Sequence, residues 1–413
     1  MNRKEIPEEV IEAVARHINE RNNKPSNLPI ITVKGNTETP HYFEILPFDQ
    51  IDSTDRKFFA IDGSSNYQQF YNGLSIGIYT AGYICFEHGK QIRLNDMDNP
   101  IILGNSYFPE RILIINEKDG EDIFDELLTL EPVKNLIAFF GIEVKKLWGF
   151  GENLRDYISP EITKLLSFCQ EVLEWALLYE IATLDITKPE DIILVDGTLR
   201  SNNIKQEYLV RLGEFLHSKG LIAVAVTKNS PIKLELSSSF KKLDSYLQDE
   251  LKPKYPFTIT DPKRQKLCCW FEVSDDILVS SYKGGMYAKK DITGGRGFGL
   301  FFAARLDYVE KLQNYDWVVI DLNIFDAVPG IKKKELTRNI DFIKIIYKEL
   351  TRLTQEHYIL GYPYPLVEVH NFVTLKKDFK DEIIRRVKFA LFKDQRMDNV
   401  EIENLFLDIH DRF

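Results

Sequence analysis

Two aspartates carry the strongest chemical signal in this chain. Asp62 closes the run Phe58-Phe59-Ala60-Ile61 and is followed by Gly63-Ser64-Ser65. Asp196 closes Ile192-Ile193-Leu194-Val195 and is followed by Gly197-Thr198-Leu199. An apolar run of this length between turn residues reads as a buried strand. Each carboxylate is therefore expected at the carboxyl end of a strand, where a sheet delivers side chains into a crevice. Glycine lets the backbone turn sharply there, and the hydroxyl residue can cap the next element. One Asp-Gly is ordinarily a plain turn. Two of them, each behind a buried strand and each before a hydroxyl, imply a shared task. Carboxylates at the ends of neighbouring strands repel each other unless a divalent cation lies between them. Metal-dependent phosphodiester hydrolysis needs that arrangement.

A third acid is expected on the helix between the two strands, with Glu171, Glu174 and Glu180 as candidates. Glu180 lies in line with Leu173, Ala176, Leu177 and Leu184, whereas Glu171 and Glu174 share the more polar face with Ser167 and Gln170. If the helix starts near the crevice, its early turns approach the aspartates, which favours Glu174 or Glu171. His370 follows Gly361-Tyr362-Pro363-Tyr364-Pro365. Two prolines around a tyrosine predict a rigid, extended segment that aims His370, at the start of the last helix, at a fixed target. Imidazole can ligate a metal or carry a proton near neutral pH. Lys228 follows Val224-Ala225-Val226-Thr227 and could bind a phosphate from a strand end. The Gly294-Gly295-Arg296-Gly297-Phe298-Gly299 loop lies between strands and does not lead into a helix, so it is poor evidence for a dinucleotide site.

The elements that must position these groups can be read coarsely. Val10, Ile11, Val14, Ala15 and Ile18 recur at helical spacing, giving an amphipathic helix over 7–21 suited to a packing or dimer arm. Residues 22–55 read as a connector with one strand at Ile30–Val33. Strands are expected at 58–62, within 71–87, at 111–116, 192–196, 221–226, within 267–283 and 298–308, and at 317–322. Helices are expected at 160–184, 207–219 (stopped by Gly220), 341–356 and after 370. Residues 121–150 look helical or mixed, and 231–256 look like a surface excursion. This alternation predicts an α/β protein: one mixed sheet with helices on both faces. No Gly/Ser-rich linker divides it. The expected organisation is an N-terminal arm and connector (1–50), then one elaborated domain (51–413) with an unplaced insertion around 231–300.

Composition bounds the partners. The 413 residues carry a formal net charge of −10, so a polyanion must be held by a local basic surface or through metal ions. Cys85, Cys169, Cys268 and Cys269 lack metal-ligand spacing and read as reduced, buried thiols. The charged N-terminus lacks a signal core, and no apolar stretch reaches about 18 residues. The expectation is a cytoplasmic protein with no membrane contact.

With these residues named, the chain resembles the NurA nucleases, which pair with the HerA translocase in DNA end processing. The resemblance rests on Ala60-Ile61-Asp62-Gly63-Ser64, Leu194-Val195-Asp196-Gly197-Thr198-Leu199, Val226-Thr227-Lys228-Asn229-Ser230, and Gly361-Tyr362-Pro363-Tyr364-Pro365-Leu366 leading to His370. These occur in the family's order, and the last is the most specific. The resemblance implies an RNase H-like fold elaborated by insertions. It also implies a manganese- or magnesium-dependent DNA nuclease, a single-strand endonuclease and 5′→3′ exonuclease serving end resection and double-strand break repair. A toroidal homodimer and a hexameric HerA-type ATPase partner come with it. By position, Asp62, Glu174, Asp196 and His370 become metal ligands, and Tyr362 matches a nearby family tyrosine. The mechanism expected is two cations about 4 Å apart clamping the scissile phosphate. Two other classes fit parts of the pattern. One is a NurA-like adaptor ring without nuclease activity, and the other an actin-like ATPase, which should show a duplicated domain that this sequence lacks.

Overall fold

The computed structural model describes residues 7–23, 43–46, 55–70, 75–88, 90–96, 99–102, 104–108, 113–115, 122–147, 162–201, 203–228, 233, 240, 268–272, 300–307, 317–322, 340–355, 361–375, 377–393 and 398–406. Helix α1 (Glu8–Asn23) and strand β1 (Phe43–Leu46) precede two long strands, β2 (Lys57–Gln69) and β3 (Ser75–Glu87). Short strands come next: β4 (Lys90–Gln91), β5 (Arg93–Asp96), β6 (Asn99–Ile102), β7 (Gly104–Tyr107) and β8 (Leu113–Ile115). Helices α2 (Asp122–Leu127), α3 (Glu131–Phe140) and α4 (Ile162–Thr183) lead into β9 (Ile192–Asp196), α5 (Gln206–Ser218) and β10 (Ile222–Thr227). Then come β11 (Cys268–Glu272), β12 (Leu300–Arg305) and β13 (Trp317–Leu322), and helices α6 (Ile340–Gln355), α7 (Tyr364–Val373), α8 (Lys377–Lys393) and α9 (Asn399–Leu405).

The main sheet runs β1-β11-β12-β13-β10-β9-β2-β3-β4, with β7 and β8 also pairing with β3. Its centre, β2-β9-β10, is parallel. β10 and β13 pair antiparallel on one side, and β2 and β3 on the other. The sheet is therefore mixed. The β9-α5-β10 unit supplies the crossover that parallel neighbours require.

Strand alternation divides the core. Phe59, Ile61, Ile193, Val195, Ala223 and Ala225 face α4 and α5. Phe58, Ala60, Ile192, Leu194, Val224 and Val226 face the other way, onto α6 and α7. Helix α4 buries Leu165, Phe168, Cys169, Val172, Leu173, Ala176 and Leu177, an apolar surface too wide for a solvent-facing helix. Helix α5 stops at Gly220, whose φ of 71° is left-handed. The Leu221 N–H then returns to the Leu216 carbonyl at 3.0 Å. Along α1, Val10, Ile11, Val14 and Ile18 are all about half exposed.

Three expectations need correction. Strand β2 does not end at Asp62 but continues to Gln69, paired with β3 throughout. Asp62-Gly63 is therefore a mid-strand position where the ladder to β9 ends, and not a turn. The segment before His370 is not extended, because helix α7 already begins at Tyr364. Pro365 sits in its first turn, where the missing N–H costs nothing. His370 consequently lies in the last turn of this short helix and not at the start of a longer one. The expected strand at 30–33, the Gly294–Gly299 loop and nearly all of 231–256 lie outside the described residues. Among the described residues, no helix is long and apolar enough to cross a membrane.

Candidate metal centre

The parallel ladder aligns Ile61 with Val195, so Asp62 and Asp196 sit side by side at its end. By alternation, both side chains project to the α7 face. Asp62 is 6% exposed. Its Oδ1 accepts the Gly63 N–H at 2.8 Å, and its Oδ2 lies 2.7 Å from Nδ1 of His370. Helix α7 makes this contact possible by packing Leu366, Val369 and Val373 into the core beside Phe58 and Ala60, which leaves His370 half-exposed over the strand end. One ligand atom from each of Asp62, Asp196 and His370 lies within 4.8 Å of the others.

Tyr362 organises the second aspartate. Its buried hydroxyl donates within reach of Asp196 Oδ1 at 2.7 Å and the Val226 carbonyl at 2.8 Å. Burial, then the neighbouring Asp196 charge, holds its pKa well above the ordinary tyrosine value, so the hydroxyl keeps its proton. Lys228 Nζ stands 3.7 Å from the centre of the Tyr362 ring. This cation–π contact puts an exposed positive charge beside the aspartates.

Glu174 arrives from the opposite face of the sheet. A Cβ at position 63 would clash with Glu174 Oε1 and lie 2.7 Å from Gln170 Cγ, so a side chain there would push both groups aside. It is the middle of α4, and not its first turns, that crosses the strand. Gln170 Nε2 donates to Glu174 Oε1 at 2.8 Å. Glu171 points to different partners: it accepts from Asn203 Nδ2 at 2.6 Å, and from Ser201 and Trp175. Glu180 has other partners, Tyr107 at 2.7 Å and Tyr83 at 3.4 Å. A cavity of about 290 Å³ separates α4 from the segment after β9, lined by Gln170, Glu171, Glu174, Asp196, Thr198 and Asn203 among others.

The electrostatics are those of crowded acids. Burial, then repulsion from Asp196, pushes Asp62 up to about 6 against the pull of His370. Burial pushes Glu174 up to about 8, with Asp62, Glu171 and Asp196 adding to it. Burial pushes Glu171 to about 7. At neutral pH Glu174 keeps its proton and Asp62 ionises at a cost that a bound cation would relieve. Hard carboxylate oxygens with one imidazole suit a divalent ion such as Mn2+ or Mg2+.

Sequence reasoning passed over Asp321. It accepts from Arg200 Nε at 2.9 Å and Thr198 Oγ1 at 3.2 Å. Its only signal was a charge inside the apolar run Val318-Val319-Ile320-Asp321-Leu322.

Fold and site together define a mixed-sheet α/β protein whose central strand ends gather a cation-type ligand set. Residues 56–251 match the family model of the NurA domain. That segment of the chain carries a NurA domain. Asp62, Glu174, Asp196 and Lys228 fall inside the matched residues, whereas Tyr362 and His370 fall outside them. Among solved structures, the chain is similar to the NurA nuclease from Sulfolobus solfataricus, with a TM-score of 0.42 and 14% identity over 94% of this chain and 97% of that one. It is similar to a second NurA crystal structure with a TM-score of 0.36 and 12% identity, over 95% and 98%. No curated protein sequence matches the chain.

Proposed function

We propose that this protein is a metal-dependent DNA nuclease, cutting phosphodiester bonds at the centre built from Asp62, Glu174, Asp196 and His370. The observation that carries this reading is the convergence of Asp62, Asp196 and His370, from three distant segments, to within 4.8 Å, in a chain with a NurA domain. Bound there, Mn2+ or Mg2+ would act as a Lewis acid on the phosphate and lower the pKa of a water nucleophile. The chain's own residues do the rest. Asp62 and Asp196 offer carboxylates from adjacent strand ends. His370 fixes Asp62 through Nδ1. The Tyr362 hydroxyl fixes Asp196, and Glu174 supplies an acid from behind Gly63. Lys228 is placed to neutralise a phosphate that approaches an otherwise acidic surface.

The finer reading rests on the family resemblance. It comprises an RNase H-like core around the β2-β9-β10 strands and activity on single strands and from 5′ ends. It further comprises a role in end resection for double-strand break repair, beside a hexameric HerA-type translocase. The exposed apolar stripe of α1 supports a homodimer. The test is cleavage of single- and double-stranded DNA with Mn2+, with Mg2+ or with chelator, by the wild type and by Asp62→Asn and Asp196→Asn. Metal-dependent cutting lost in both folded variants is the expected result. Full activity in either variant defeats the site. A wild type that binds DNA ends and a translocase yet never cuts makes the chain an adaptor.

A further inference from the structure

The turn after Asp196 is tied down by one buried carboxylate from two strands away. Asp321, on β13, is 1% exposed. β13 pairs with β10, which in turn pairs with β9. Asp321 aligns with Ala225, so it projects onto the α4 face, below the cavity. There it collects bonds from three consecutive residues. The Thr198 hydroxyl donates at 3.2 Å, the Leu199 N–H also donates, and Arg200 Nε donates at 2.9 Å with Nη2 at 3.5 Å. Arg200 is itself buried, and its own N–H returns to Thr198 Oγ1 at 3.2 Å. The other side of the turn is fastened to β10. The Gly197 N–H donates to the Val226 carbonyl at 3.1 Å, and the Thr227 hydroxyl donates to the Gly197 carbonyl. Gly197, at φ 129°, is the flexible link between Asp196 and these anchors.

We infer that Asp321, with Arg200 and Thr198, is a positioning group that fixes the backbone after β9 and so sets where Asp196 presents its carboxylate. This rests on the reading of Asp62, Asp196 and His370 as a cation site. A buried Arg–Asp pair contributes little net stability over an apolar pair, so a stability role alone leaves its placement unexplained. Three donors from the residues just past a ligand are what holding that ligand requires.

The test is calorimetric titration of the full-length protein with Mn2+ alone, without DNA, with melting curves recorded in the same buffer. Asp321→Ala is expected to weaken Mn2+ binding by about 10–100-fold, the usual cost of removing a group that orients a metal ligand. Thr198→Val keeps the ion pair and the fold, and is expected to weaken Mn2+ binding in the same direction by less. Should Asp321→Ala not fold, Thr198→Val decides. Wild-type Mn2+ affinity in the folded variants, with only the melting temperature lowered, overturns the inference. A wild type that binds no Mn2+ removes the cation site itself, and the inference with it.

Discussion

Replacing Asp62 by asparagine should stabilise the metal-free protein at neutral pH while destroying its response to metal. Asp62 is buried beside Asp196, and its pKa rises from 3.8 to about 6. A raised acid is one whose charged form the fold disfavours. Below the unfolded value near 3.8 both states hold the proton, and there is no penalty. The penalty grows as pH climbs from about 4 to about 6 and is complete above that. At about 1.4 kcal/mol per tenfold, the full penalty is up to about 3 kcal/mol, with about 1 kcal/mol of it already present at pH ~4.5. An amide of the same shape can still accept the Gly63 N–H and face His370, but it carries no charge. In chelator, Asp62→Asn should therefore exceed the wild type by up to about 3 kcal/mol at pH ~8, and by only about 1 kcal/mol at pH ~4.5. Mn2+ at about a thousand times Kd should reverse the order, because binding to the native state alone then adds about 4.1 kcal/mol. Denaturant unfolding at the two pH values, with and without Mn2+, measures all four quantities. An Asp62→Asn protein less stable than the wild type at pH ~8, or a gap independent of pH, refutes the account of a strained carboxylate.

Three further outcomes test the surrounding architecture. Tyr362→Phe removes the hydroxyl between Asp196 and Val226. Since the Val226 carbonyl keeps the Gly197 N–H, stability should fall by only about 1 kcal/mol while Mn2+ binding and cleavage fall clearly, read by melting and calorimetry. Gly63→Ala forces a methyl against Glu174 Oε1. It should cost about 1–3 kcal/mol by overpacking and displace Glu174, seen as a lower denaturation midpoint together with lost cleavage. Lys228→Ala removes the cation over Tyr362. It should reduce the slope of log affinity for single-stranded DNA against log salt by about one, with little change in melting.

Much of the site was legible because buried strands announce themselves. The runs before Asp62 and Asp196 have the length and apolarity of central strands, and the sheet pairs them in parallel as neighbours. His370 was legible as a residue that a proline-rich segment aims. The helix that carries it was not, because Pro363 and Pro365 serve a helix start as well as they serve an extended run. Gly63 and Gly197 look identical in sequence, yet only Gly197 makes a turn. Gly63 is glycine because a helix on the far side of the sheet leans against it, a contact that local sequence does not encode. Choosing among Glu171, Glu174 and Glu180 needed the rotation of α4 about its axis, which only packing fixes. Asp321 showed only as a charge inside an apolar run, with nothing local to name its task, because its partners lie more than a hundred residues away.

The two faces of the sheet explain why this constellation must be acidic and strained. A continuous sheet keeps side chains on its two faces apart, so a carboxylate from α4 cannot reach one that points toward α7 through the strands. They can meet only where the β2–β9 ladder ends and where one residue of β2 has no side chain. Gly63 satisfies both conditions, immediately after Asp62. The fold thereby gathers Asp62, Asp196 and Glu174 around one strand end, drawing on both layers of helices. Lys228, over the Tyr362 ring, supplies positive charge nearby. Burial then makes ionisation of Asp62 and Glu174 unfavourable, as their upward shifts record. The cost is relieved in two states, protonated at low pH or, at neutral pH, bridged by a cation. At neutral pH the second state is the one that also leaves carboxylates ionised for chemistry.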